Sequence, residues 1–179
     1  MTQKFRTVLV GVAVLAQCLL TSCVRSDDKA VPPKICGTDV APELTRPLMT
    51  STKDLREFSR VDRSSGVSAP CMLQSGSDAV LGLRFSWDED ATDLMYLATD
   101  TGTVSRVTDP RPASFPYKTV IGNDGGISQA PCKTKHGNYF TLTLQLPQID
   151  LTDQSHRKDI EKFMRVYFPA TVKTLSCAR

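Results

Sequence analysis

The sequence predicts an α+β domain: an antiparallel sheet of about six strands, built from two similar three-strand units, with helices packed on one face. Three observations carry this reading. Apolar triads at period two recur with a shift of 61 residues, turn residues flank them, and amphipathic segments at helical spacing separate and follow them. A length of 179 residues suits one ordinary domain, and 40% apolar with 23% charged residues is enough to build a core.

The first helix is expected from about Asp39 to Leu55, with Thr38 or Asp39 as its cap. Pro42 suits a first turn, whereas Pro47 does not suit a helix interior and predicts a break. In the first strand unit, Ser64-Ser65-Gly66 marks a turn and Ala69-Pro70-Cys71 lies in a strand. Gln74 to Ser77 is the next turn, and Leu81, Leu83 and Phe85 form the triad. Alternation places the triad on a buried face and Gly82, Arg84 and Ser86 on a wet one. The second helix is expected from about Asp88 to Ala98, followed by a proline-rich connection from Gly102 to Pro116.

The second strand unit repeats the first. Asn123-Asp124-Gly125-Gly126 supplies a turn, Ala130-Pro131-Cys132 a strand, and Lys135 to Asn138 another turn. Leu142, Leu144 and Leu146 form the triad, with Thr141, Thr143 and Gln145 on the wet face. In both units a glycine follows the cysteine by five positions and the triad follows by ten, twelve and fourteen. With one gap, Gly66-Val67-Ser68 aligns with Gly126-Ile127-Ser128, and Val61 and Val120 fall in comparable places. The third helix is expected from Asp153 to Phe168, with Ile160, Phe163, Met164 and Tyr167 on its apolar face. Pro169 is expected to interrupt it, leaving a short further turn toward Cys177.

The N-terminus reads as an address rather than as fold. Lys4 and Arg6 precede an uncharged stretch from Thr7 to Leu20, too short to span a bilayer comfortably and suited to a leader. It ends in Leu20-Thr21-Ser22-Cys23, which resembles the lipobox of bacterial prolipoproteins. That resemblance covers the first two dozen residues. It implies cleavage before Cys23, a diacylglycerol on the Cys23 sulfur, and residence on the extracytoplasmic face of a bacterial membrane. The chain then divides into a leader (1–22), a polar tether (23–34) containing Pro32-Pro33, and one domain (35–179) with halves at about 35–100 and 101–179. The whole resembles the small cysteine-containing lipoproteins of actinobacteria, through lipobox, size, spaced cysteines and meander. The resemblance implies no catalytic residues.

Loss of Lys4 and Arg6 with the leader takes the formal charge from +3 to +1. A value so near neutral argues against a nucleic-acid partner, which needs a clustered basic face. Cys36, Cys71, Cys132 and Cys177 remain after cleavage, and an even number outside the cytosol reads as two disulfides. Four cysteines allow three connectivities. The preferred one is Cys36–Cys71 with Cys132–Cys177, each tying a chain end to the cysteine strand of its own half. Zinc is the competitor through Cys132 and His136, but the chain has two histidines and no CxxC, so no metal or other cofactor is expected.

Each remaining candidate has a plain alternative. Asp100-Thr101-Gly102 resembles the loop of aspartic proteases, yet a second copy is missing, and a helix-ending turn explains it. Asp88-Glu89-Asp90 with Asp93 would suit calcium, but acidic residues also favour a helix's first turn. Trp87 would line a groove or pack in the core. His136 falls in a turn and His156 in the polar start of the last helix, neither with an evident orienting carboxylate.

The expected function is therefore a membrane-anchored binding or interaction module, with its cleft at the seam between the halves. An envelope hydrolase whose site assembles only in three dimensions, and a structural envelope component, are the alternatives. The ligand-binding residues are not readable from sequence. The lipobox reading predicts that the wild-type chain partitions into detergent with the mass of a diacylated form beginning at Cys23. A Cys23→Ala variant should keep its leader and lose the lipid, as read by intact-mass spectrometry.

Overall fold

The computed structural model describes residues 31–59 and 68–177. The leader, Cys23, most of the tether, Val61 and the Ser64-Ser65-Gly66 turn lie outside the described residues. The chain is a mixed α/β domain. Its main sheet has seven antiparallel strands, and a separate two-stranded ribbon lies near the N-terminus.

That ribbon replaces the start of the expected first helix. Strands β1 (Lys34–Ile35) and β2 (Thr38–Asp39) are joined by Cys36 and Gly37, with φ of 49° and 74°. Positive φ at both central positions is the geometry of a tight hairpin turn. Helix α1 (Pro42–Thr45) follows, and a 3-10 turn (Arg46–Leu48) absorbs Pro47. Val31 is already buried, four residues before the expected domain start.

The main sheet contains β3 (Leu55–Ser59), β4 (Ser68–Ser75), β5 (Asp78–Asp88), β6 (Arg111–Pro112), β7 (Lys118–Ile121), β8 (Gly125–Thr134) and β9 (Gly137–Gln145). Their order is β3-β4-β5-β9-β8-β7-β6. Two meanders, β3-β4-β5 and β7-β8-β9, thus meet edge to edge through β5 and β9. The added seventh strand, β6, comes from the proline-rich connection. Pro112 has no N–H to donate, and it sits where that is tolerated, on a sheet edge.

The sequence repeat is partly realised. Leu83 lies opposite Leu144 in the β5–β9 pairing, so the two triads meet about an approximate twofold axis. The cysteine strands depart from it. Cys71 lies opposite Leu83, but Gly126, six residues before Cys132, lies opposite Leu144. The paired glycines also differ in role. Gly76 has φ of 62° in an open turn, whereas a Cβ on Gly137 would come within 2.6 Å of the Asp88 carbonyl oxygen. The alignment of Ala-Pro-Cys and glycine is therefore a likeness of sequence without equivalence of place.

Helices lie on both faces, not one. Helix α3 (Arg157–Thr174) covers the face that carries both triads, burying Ile160, Phe163, Met164, Tyr167 and Phe168 completely. Each contributes roughly 1.5–3 kcal/mol. Helix α2 (Leu94–Thr99) lies on the reverse face, where Leu94 and Ala98 pack with Val107, Val120 and Ile127. It starts later than expected because β5 runs on to Asp88, opposite Tyr139, and Asp93 then caps the helix. Together with residues 103–108, α2 covers Thr141 and Thr143, which are 1% exposed rather than wet. Thr141 donates to Asp88 and accepts from Gln129, and Thr143 donates to Ser105.

Pro169 does not interrupt α3. The loss of one backbone hydrogen bond is outweighed by a buried face that continues past it. Thr171 meets Thr38 at 3.0 Å, and the Tyr167 hydroxyl donates to the Ile35 carbonyl at 2.9 Å, so the N-terminal ribbon is clasped against α3. The helix also begins later than Asp153, because Asp153 and Ser155 close a turn on themselves.

Arg157 sits in the first turn of α3, against the helix dipole, so its retention needs local acceptors. It has them: its guanidinium donates to the Ile121 and Asp109 carbonyls and to the Asp109 and Asn123 side chains. This clamp joins α3 to the β7–β8 turn and to the connection before β6. Arg157→Ala should lower unfolding free energy by about 3 kcal/mol in urea titration, since it strands several part-buried acceptors. Arg157→Lys should recover less than half of that, because an ammonium lacks the planar fork.

Candidate functional site

Among the described residues, the reverse face of the sheet is only half covered: α2 and residues 103–108 shield β7, β8 and β9, and none of them covers β3, β4 and β5. A groove of about 510 Å³ runs over this open part.

Its construction follows from strand register. Phe58 pairs with Met72, Met72 with Gly82, and Gly82 with Gln145. These four residues form one continuous row across β3, β4, β5 and β9, and side chains at such cross-strand positions ordinarily touch. Gly82 leaves a notch in the row. Pro70 and Arg84 form the neighbouring pair, and Gln74 and Pro147 complete the walls. Phe58 is 52% exposed, an unusual state for a large ring on a sheet face.

Gly82 is not required by the fold. Its backbone is outside the left-handed region, and an added Cβ would meet only the Gln145 carbonyl oxygen at 3.7 Å, an ordinary contact. Glycine inside a strand costs about 0.5–1 kcal/mol relative to alanine. Such a position commonly marks close approach by another group.

The sequence-derived candidates are dispersed. The structure holds two disulfides, Cys36–Cys71 and Cys132–Cys177. The Glu57 carboxylate lies near the sulfurs of Cys36 and Cys71, the one three-residue grouping of metal-ligand type among the described residues. Both sulfurs are used in a covalent bond, and Glu57 accepts the Cys36 amide at 2.7 Å. The acidic cluster after β5 splits into separate tasks: Asp88 accepts from Thr141, Glu89 from Asn138, and Asp93 caps α2.

Asp100 closes the turn after α2. Its carboxylate accepts the Gly102 amide at 2.7 Å and the Tyr96 hydroxyl. The Tyr96 hydrogen bond, then that of Gly102, hold the Asp100 carboxyl below its ordinary range, and the same contact raises the Tyr96 phenol. Asp150 and Asp153 are lowered alike by the amides and hydroxyls of Thr152 and Ser155. His156 precedes α3 without a side-chain capping bond, and the Ser155 hydroxyl beside it donates to Asp153. This is a closed local turn rather than an activated nucleophile.

Trp87 is 3% exposed, stacks obliquely on Phe140 at 5.4 Å, and lines a smaller cavity with His136. The groove itself escaped sequence reasoning except for Gly82, Arg84 and Gln145, which alternation places on the correct face. Phe58 and Met72 had no signal, since their exposure depends on which half of the reverse face α2 covers.

Compared with protein-family models, curated proteins and solved structures, the chain matches none.

The Asp100 turn gives a pH prediction with a definite sign. Its folded pKa lies below the unfolded value of about 3.9, so its stabilising contribution is complete above that value and is lost as pH falls through the folded pKa. Carbon-detected NMR should show Asp100 titrating below the ordinary aspartates. In Asp100→Asn, the Tyr96 hydroxyl should titrate lower than in the parent, back toward about 10.

Proposed function

We propose that the protein is a lipid-anchored, extracytoplasmic binding module whose groove over β3, β4 and β5 takes a small amphipathic ligand. The anchor rests on Leu20-Thr21-Ser22-Cys23, and two disulfides are compatible with an oxidising compartment. The observation that carries the binding role is Gly82. It empties the centre of a cross-strand row in the longest strand, and neither backbone conformation nor crowding demands it. The space it leaves is walled by Phe58, Met72 and Pro70, with Gln74, Arg84 and Gln145 as polar groups. Its volume falls within the roughly 300–1,000 Å³ of small-molecule sites, and the mixture of apolar wall and few polar groups is the usual one. The groove also borders the β5–β9 seam between the two meanders.

Anilinonaphthalene sulfonate, an anionic aromatic dye, is a suitable probe. The folded chain should bind it saturably at neutral pH, with enhanced fluorescence. Gly82→Leu should fill the notch and weaken the dye about tenfold, equivalent to about 1.4 kcal/mol, while leaving far-UV circular dichroism unchanged. Equal dye affinity in a folded Gly82→Leu variant would sink the assignment.

A further inference from the structure

We propose that the ligand of the groove is a neutral sugar, held by the ring of Phe58 and by two glutamine carbonyl oxygens. This rests on the groove assigned above and names the chemistry it recognises.

The bonds already made inside the groove define what is left for a ligand. Gln145, opposite Gly82 on β9, donates its amide N–H to the Arg106 carbonyl at 3.2 Å. Gln74, on the other side of β5 in β4, donates to the Met72 sulfur at 3.7 Å. Both side chains line the groove and are partly exposed. Neither side-chain oxygen accepts a bond from another described residue. A carboxamide oxygen can only accept, so a ligand that meets these two must bring N–H or O–H donors. A cationic donor finds no counter-charge, because Arg84 is among the lining residues and no acidic side chain is. The donor is therefore uncharged, a hydroxyl or an amide.

The sheet decides between those two. Strands β4 and β5 are each paired on both sides, so their main-chain groups are already in ladders. An extended peptide has no free edge to join over the Gly82 notch. Recognition there passes through side chains and a ring face. Phe58 offers a ring that is 52% exposed, beside Met72 and Pro70. A pyranose has the matching form: its C–H face suits the electron-rich face of an aromatic ring, and hydroxyl donors rim it.

Hexyl β-D-glucoside is the probe, on the full chain with both disulfides formed. It should shift the Met72 methyl resonance saturably and displace anilinonaphthalene sulfonate in competition. Its tetra-O-methyl ether keeps ring and chain without a donor, and should bind at least about tenfold more weakly. Gln74→Met removes one acceptor at similar length and should weaken the glucoside about fivefold. N-acetylphenylalaninamide, a peptide-type amide donor, should not compete at concentrations that saturate the glucoside. Saturable dye binding that is weakened in Gly82→Leu, with no displacement by glucoside, would leave the groove standing and overturn the sugar. No dye binding at all would remove the groove and the sugar with it. Equal affinity for the ether, an unchanged glucoside affinity in folded Gln74→Met, or equal competition by the amide would each overturn the proposal as well.

Discussion

The domain depends on the antiparallel contact between β5 and β9. Without it the chain holds two three-strand meanders, each near the lower limit of independent stability. The register that sets Leu83 opposite Leu144 and Trp87 opposite Phe140 merges their apolar sides into one floor. Leu81, Leu83, Phe85 and Trp87 come from one strand, and Phe140, Leu142, Leu144 and Leu146 from the end of the other. A slip of one residue would send a whole strand's set to the reverse face. Helix α3 then has a single place to bury its stripe. Phe168 stacks on Phe140 at 5.8 Å, which links the helix to the seam.

The two sides of the reverse face show what the covering elements decide. Over β7, β8 and β9, polar strand residues are buried and find partners: Gln129 with Thr141, and Thr143 with Ser105. Over β3, β4 and β5 no helix of the described residues arrives, and the row there contains Phe58, Met72 and a gap. The covered half thus joins the apolar cluster of Val107, Val120 and Ile127 to satisfied polar groups, while the open row sets Phe58 and Met72 beside a gap.

Much of the architecture was legible. Period-two triads located β5 and β9, turn residues located both hairpins, and the spacing of Ile160, Phe163, Met164 and Tyr167 located α3 and its buried face. What was illegible depended on tertiary partners. Pro169 reads as a helix stop, but the clasp of Tyr167 and Thr171 on the N-terminal ribbon carries the helix through it. Thr141 and Thr143 read as solvent-facing because nothing in their own strand announces the covering loop. The position of α2 on the reverse face has no local signature, so the open groove, defined by where α2 is not, had none either. The shared Ala-Pro-Cys segments suggested matching cysteine strands, yet hairpin geometry set their registers six residues apart.

The Cys36–Cys71 link has a mechanical consequence. A pull arriving from the N-terminal side reaches Cys36 soon after the buried Val31 and the two residues of β1, and then crosses through sulfur into the middle of β4. The chain between these two cysteines, 35 positions apart, with α1 and the edge strand β3, is bypassed and carries no tension. A domain tugged from that end would therefore be loaded at an interior strand of its largest sheet, where parting means shearing two neighbouring ladders at once rather than peeling an edge.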